Sequence, residues 1–202
     1  MPDSRRILIL FAHPALRKSR INRRLLAAAR SVDGVTVRDL YEEYPDFMID
    51  VAAEQRLLES HDVILFQHPF YWYSCPAIVK EWLDLVLEHG FAYGEEGRAL
   101  AGKWTASVLS TGGAAEVYQP AGQNRFTVRQ LLAPFEQTAF LCRMEWLPPF
   151  LVQGTFALSE GGLEQHAATY VRTLQALQQG SLPLERWMAV ERLNDAVEGG
   201  AP

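Results

Sequence analysis

Three short apolar runs constrain the fold of this chain most: Ile7-Leu8-Ile9-Leu10-Phe11-Ala12, Val63-Ile64-Leu65-Phe66, and Trp104 to Leu109. A strand with one solvated face alternates apolar and polar residues, whereas a strand buried on both faces is apolar throughout. Such strands need helices on both sides, and the intervening sequence supplies them. Ile21, Leu25, Ala28 and Ala29 share one face of a stretch from about Arg20 to Arg30. Ile78, Trp82, Leu85 and Val86 share a face of a second helix, whose first position suits Pro76. Further helices are predicted from an Asp50 cap to about Glu59, over about 126–142, and from Glu160 to Gln179.

Val35 to Leu40 alternates as a second strand after Asp33-Gly34. Tyr44-Pro45-Asp46 opens an irregular stretch, and Gly90 to Gly102 reads as a long loop. A fifth strand falls within Trp146 to Thr155, at a sheet edge or beyond Pro148-Pro149, because proline has no ladder donor. Strands alternating with helices predict a doubly wound α/β sheet: five parallel strands in the order 2-1-3-4-5, with right-handed crossovers and helices on both faces. Residues 1–180 read as one domain and 181–202 as a C-terminal tail, partly helical and frayed at Gly199-Gly200-Ala201-Pro202.

Composition narrows the classes of partner. The chain has 202 residues, 49% of them hydrophobic and 21% charged, enough for one sizeable core and too apolar for disorder. A net charge of -5 argues against a nucleic-acid surface. The basic cluster from Arg17-Lys18-Ser19-Arg20 to Arg23-Arg24 sits at a predicted helix start and suits a small anion. The two cysteines, Cys75 and Cys142, lack metal-type spacing and read as free thiols of a cytoplasmic protein. No signal peptide is apparent, no apolar run is long enough to span a membrane, and no histidine pair has metal-ligand spacing, so no metal is predicted.

Chemistry concentrates where the predicted strands end, the place where ligands bind in open α/β sheets. After the first strand come His13-Pro14 and then Ser19-Arg20-Ile21-Asn22 at a helix N-terminus, which offers free N–H groups to an anion. A plain N-cap role for Ser19 is the competing reading. Neither G-x-G-x-x-G nor a P-loop pattern follows that strand, which disfavours a Rossmann dinucleotide site and a P-loop hydrolase. After the third strand come His68, Pro69 and the aromatics Phe70-Tyr71-Trp72-Tyr73, whose successive side chains diverge and so cannot share one core. A core plug or a dimer interface would use them equally well. After the fourth strand come Ser110-Thr111-Gly112-Gly113, a simple turn or a close-approach backbone for a ligand. The three loops together suit a flat apolar ring with a polar rim.

These segments resemble the flavodoxin-like NAD(P)H:quinone oxidoreductase family, and within it most closely the ancillary oxidoreductases of glutathione-regulated potassium-efflux systems. The resemblance rests on Ala12-His13-Pro14 with Ser19 to Asn22, Tyr44 to Phe47, His68 to Tyr73, Lys80 with Trp82, Gly90 to Gly94, Ser110 to Gly113 and Trp146 to Pro149. It spans about residues 6–180 and implies the flavodoxin-like form of the sheet. It also implies FMN, with FAD the alternative, its phosphate at His13 and Ser19 to Asn22 and its ring at Phe70 to Tyr73 and Ser110 to Gly113. NAD(P)H would be the co-substrate and a quinone or similar electrophile the acceptor, in a two-electron ping-pong hydride transfer. A homodimer with shared sites is implied, as is a regulatory role beside a potassium-efflux transporter, at the inner face of the cell membrane. Tyr118 matches a tyrosine that larger quinone reductases carry near the flavin, whereas Asn124 falls near the position of their histidine and cannot serve as a proton donor of tunable pKa. Tyr118 is therefore the catalytic candidate.

Overall fold

The computed structural model describes residues 4–198, so the tail end at 199–202 lies outside the described residues. Its centre is a parallel sheet of β1 (Ile7–Phe11), β2 (Val35–Asp39), β3 (Val63–Pro69), β4 (Trp104–Ser110), β5 (Glu145–Trp146) and β6 (Phe150–Val152). The strands run in the order β2-β1-β3-β4-β5, with β6 also pairing β4. The order matches the one expected from the sequence. All of β1, β3 and β4 is buried, as their unbroken apolar character requires, while every residue of the edge strand β2 is half-buried.

Successive residues of each strand feed opposite faces. Leu8, Leu10, Ile64, Phe66 and Leu109 pack against Leu58 of α3 (Val51–Ser60), Ile78 and Trp82 of α4 (Ala77–Val86) and Phe135 of the 133–141 helix. Ile7, Ile9, Phe11, Leu65 and Val108 pack against Ile21 and Leu25 of α1 (Arg20–Arg30) and against Leu163, Tyr170 and Leu174 of the 160–179 helix. A short helix, α2 (Leu40–Glu43), follows β2 directly.

Four features differ from the sequence reading. The fifth strand is two pieces, β5 and β6, parted by Leu147-Pro148-Pro149, and the register on β4 advances by one residue between them. The prolines remove the donors a continuous ladder would use. Pro76 is the N-cap of α4 rather than its first residue. The 126–142 region is two helices, α5 (Val128–Leu131) and α6 (Ala133–Leu141), with Leu132 between them. Beyond α7 (Glu160–Gln179), the segment read as a partly helical tail does form α8 (Leu184–Met188) and α9 (Leu193–Glu198), but it is packed into the body of the fold, with Trp187 and Leu193 fully buried in the α1/α7 core. Asn194 of α9 donates to the carbonyl of Leu151 at 3.0 Å and accepts from its N–H at 2.9 Å, so a carboxamide closes the open edge of β6.

Candidate functional site

The carboxyl ends of β1, β3, β4 and β6 deliver four loops to one end of the sheet. The first runs from His13 to α1. Ser19 caps the helix, its Oγ accepting from the N–H of Asn22 at 3.1 Å and from Asn22 Nδ2 at 3.2 Å. The hydroxyl proton of Ser19 is not used by these bonds, so the capping role leaves a donor in hand. The N–H groups of Arg20 and Ile21 have no intrahelical acceptor, as at any helix start. His13 is buried and accepts the N–H of Ala15 on Nδ1 at 3.1 Å, which puts its proton on Nε2 as a donor. Burial lowers its pKa below the ordinary 6.5, so the ring is neutral at neutral pH.

The second loop follows β3. Phe70 is buried and its N–H donates to Ser110 at 2.9 Å, joining the second loop to the third. Tyr71 and Tyr73 are half-exposed, and the Trp72 indole is 92% exposed. Trp72 and Tyr73 both hold left-handed backbone, with φ of 51° and 62°. Such conformations cost about 1–3 kcal/mol per non-glycine residue and persist where surroundings enforce them, commonly at functional sites. The third loop is joined to the first by Asn22 Nδ2, which donates to Ser110 Oγ at 2.9 Å. Buried Asn22 keeps Oδ1 without a partner, a polar atom held at the floor of the site.

The loops enclose a cleft of about 440 Å³ that His13, Ser19, Arg20, Ile21, Asn22, Phe70, Tyr71, Ser110 and Gly112 help to line. A second cavity of about 320 Å³ shares Phe70 and is lined by Trp72, Tyr73, Gly113, Tyr118 and Asn124. The predicted site residues thus divide between two adjoining hollows. Thr111 lines neither; it is buried, and its Oγ1 donates to the carbonyl of Gly113 at 2.7 Å, bracing its own loop. The Arg20 guanidinium is directed to the Leu158 carbonyl and the Glu160 carboxylate. A Cβ on Gly113 would meet Val117 Cγ2 at 2.7 Å and Tyr118 Cε2 at 3.2 Å, so its glycine makes room for the Tyr118 ring rather than for a ligand in the larger cleft.

Tyr118 is buried, with its ring 6.2 Å from that of Phe70. Desolvation, with the nearby Tyr73 adding to it, holds its pKa above the ordinary 10, so it keeps its proton. Tyr73 donates to Asn124 Oδ1 at 3.2 Å across the smaller cavity. His68, which the sequence offered as a pocket residue, lies instead beneath the loop, fully buried and stacked on Phe135 at 5.9 Å. The sequence reading missed the fourth loop, where Thr155 and Phe156 line the larger cleft. The signal was available: whatever follows the fifth strand must emerge at the same end of a parallel sheet. Among the described residues, no cluster of histidine, cysteine or acidic side chains could hold a metal ion, and no helix is long and apolar enough to cross a membrane.

A parallel 2-1-3-4-5 sheet with a phosphate-type helix start, an aromatic loop and a glycine loop at its carboxyl end defines a flavodoxin-like protein. The chain belongs to that family: residues 5–174 match a family model described as a flavodoxin-like fold. It is 51% identical over 170 residues to the glutathione-regulated potassium-efflux system ancillary protein KefG of Pectobacterium carotovorum, covering 84% of this chain and 93% of that one. Among solved structures, the general stress protein 14 of Treponema denticola in complex with FMN superposes with a TM-score of 0.82 at 41% identity, covering 86% of this chain and 99% of that one. An NADPH-quinone reductase from P. pentosaceus superposes at 0.76 with 33% identity, covering 83% and 96%. The family suggested by the sequence motifs is the one found.

Proposed function

We propose that this chain binds FMN and is a flavin-dependent NAD(P)H:quinone oxidoreductase. The observation that carries the reading is the convergence on one cleft of an anion-type helix start, a flat apolar wall and a polar loop. The donor set fits a flavin mononucleotide: Ser19, the first N–H groups of α1 and His13 Nε2 suit a phosphate, and Phe70 and Tyr71 suit a flat ring. The orphaned Oδ1 of Asn22 is an acceptor waiting for a donor. Bound there, the flavin supplies two-electron transfer from NAD(P)H to a quinone in two half-reactions, the ping-pong order.

The protein's own part is positioning. Phe70 and Tyr71 exclude water from one wall, the Asn22–Ser110 and Phe70–Ser110 bonds hold the loops in register, and Tyr118 retains a proton beside the smaller cavity. The FMN of the Treponema relative favours FMN over FAD. A homodimer is part of the proposal, supported by apolar side chains such as Phe140 and Leu141 that are 76% and 51% exposed in the single chain.

Purified protein should carry the visible absorption bands of a flavin, and the released cofactor should have the mass of FMN. A colourless protein that takes up no added FMN sinks the reading. Ser19→Asp gives a sharper test, because Asp is as good an N-cap as Ser but sets a carboxylate against a phosphate dianion. FMN affinity should fall by about a hundredfold or more, while riboflavin, which has no phosphate, should bind nearly as before. Equal losses for both ligands would remove the phosphate from this loop.

A second reading, an ancillary subunit of a potassium-efflux transporter with secondary redox activity, is favoured by the 51% identity to KefG. In a pull-down with a cognate efflux transporter, Ser19→Asp separates the two. Binding that survives without flavin supports the regulatory role, and no binding by either form counts against it.

A further inference from the structure

We propose that the loop from Gln153 to Ser159 is a strap that retains the flavin: Phe156 covers the ligand, and Arg20 holds the strap in place instead of contacting the phosphate. The inference rests on the flavin reading above and adds to it a residue, Phe156, and a changed role for Arg20.

The first observation is Phe156 itself. It is among the most exposed apolar side chains described, at 92%, yet it lines the larger of the two site clefts beside His13, Ser19 and Tyr71. An apolar ring held in water at the mouth of a pocket gains contact only when something fills the pocket. The second observation is Gly112. Its backbone is not left-handed, so the main chain there does not call for glycine. A Cβ on Gly112 would lie within 2.9 Å of Phe156 Cζ, so the exposed ring would have to swing away from its present seat. The ring is seated on the glycine loop, and the glycine is what lets it sit there.

The third observation is how the strap is anchored. On one side the N–H of Gly154 donates to Gly113 at 2.9 Å and that of Thr155 to Thr111 at 3.1 Å, while Ala157 turns back on Gly154 at 3.1 Å. On the other side the Arg20 guanidinium binds both the Leu158 carbonyl and the Glu160 carboxylate. Phe156 is thus the tip of a short loop fixed at both ends. Arg20 stands on the first turn of α1, where a phosphate-binding arginine would be sought, but its Nη1 and Nη2 are directed to Glu160 at the start of α7 and to Leu158 of the strap. The charge left at the cleft is that of Lys18, which has no ion pair among those described.

The two roles of Arg20 predict opposite signs for Glu160→Gln. As a phosphate ligand, Arg20 would be freed by the loss of Glu160, and FMN would bind more tightly. As a strap holder, Arg20 loses an anchor, and FMN and riboflavin should both dissociate several-fold faster. Phe156→Ala should speed the dissociation of both flavins by about tenfold, the worth of one aromatic contact. Both positions are exposed, so folding should be unaffected, which far-ultraviolet circular dichroism would verify. The measurement is stopped-flow flavin fluorescence on the full chain, with FMN and riboflavin in parallel. Tighter FMN binding by Glu160→Gln, or unchanged release in Phe156→Ala, overturns the strap while leaving the flavin reading intact. A wild-type protein that binds neither flavin overturns both.

Discussion

Glu54→Ala is expected to destabilise the fold by about 3–5 kcal/mol, lowering the melting temperature by about 10 °C. Glu54 lies in α3 and is completely buried. Its carboxylate accepts from Arg38 Nε at 2.8 Å, from the Tyr44 hydroxyl at 2.7 Å and from Trp82 Nε1 at 2.9 Å. The network ties β2, the turn after α2 and α4 to one carboxylate, and α4 begins where the aromatic loop ends. Truncation strands the indole N–H of a fully buried Trp82 and one bond of an Arg38 whose side chain is only 22% exposed. An unpaired buried donor costs its desolvation in full, whereas the pair as a whole contributes much less. Glu54→Gln keeps the volume but turns an NH2 group toward at least one donor, so it should recover only part of the loss. Guanidinium denaturation of the three forms decides the matter. A Glu54→Ala protein within about 1 kcal/mol of wild type would show that the network is not a significant source of stability.

The same residue marks the limit of what could be read from the chain. β1, α1 and α7 were placed well, because unbroken apolar runs, helical spacing and capping residues such as Ser19 are local signals. Glu54 gave none. A glutamate in a short amphipathic helix reads as solvent-facing, and its partners lie 10, 16 and 28 residues away. The closing of the sheet edge by Asn194 was hidden for a like reason, since α8 and α9 are too short to show a period. At the site, the loops were readable because strand ends dictate where they emerge, but the directions of side chains were not. Arg20 and Thr111 read as ligand contacts, but Thr111 is engaged with its own loop and Arg20 with Leu158 and Glu160 beyond β6. Phe156 read as nothing in particular, although it lines the cleft.

The second large effect is a loss of stability in mild acid that is centred on His68. The ring lies fully buried in β3, paired in register with Leu109 and stacked on Phe135. Its Nδ1 faces the Pro69 carbonyl at 3.0 Å, so that nitrogen carries the proton of the neutral ring, and Nε2 has no partner. Burial lowers its pKa from 6.5 to about 4 and outweighs the opposing Pro69 hydrogen bond. In the unfolded chain the ring takes up a proton below about pH 6.5, while in the folded protein it does not until about pH 4. Between those values the unfolded state holds the extra proton, so stability falls as the pH falls. It is at its full value above pH 6.5, and by pH 4 the loss amounts to about 3 kcal/mol. His13 and His61 are lowered in the same direction, again chiefly by burial, and add to the slope. His68→Leu should flatten the pH dependence of the denaturation midpoint between pH 6.5 and 4, and an unchanged slope would remove His68 as its source. Because His68 is followed directly by Pro69 and Phe70, the strand loosened by its protonation is the one that presents the aromatic wall. Flavin release from the folded protein should therefore set in only as the pH approaches about 4 in the wild type, and move to lower pH in His68→Leu.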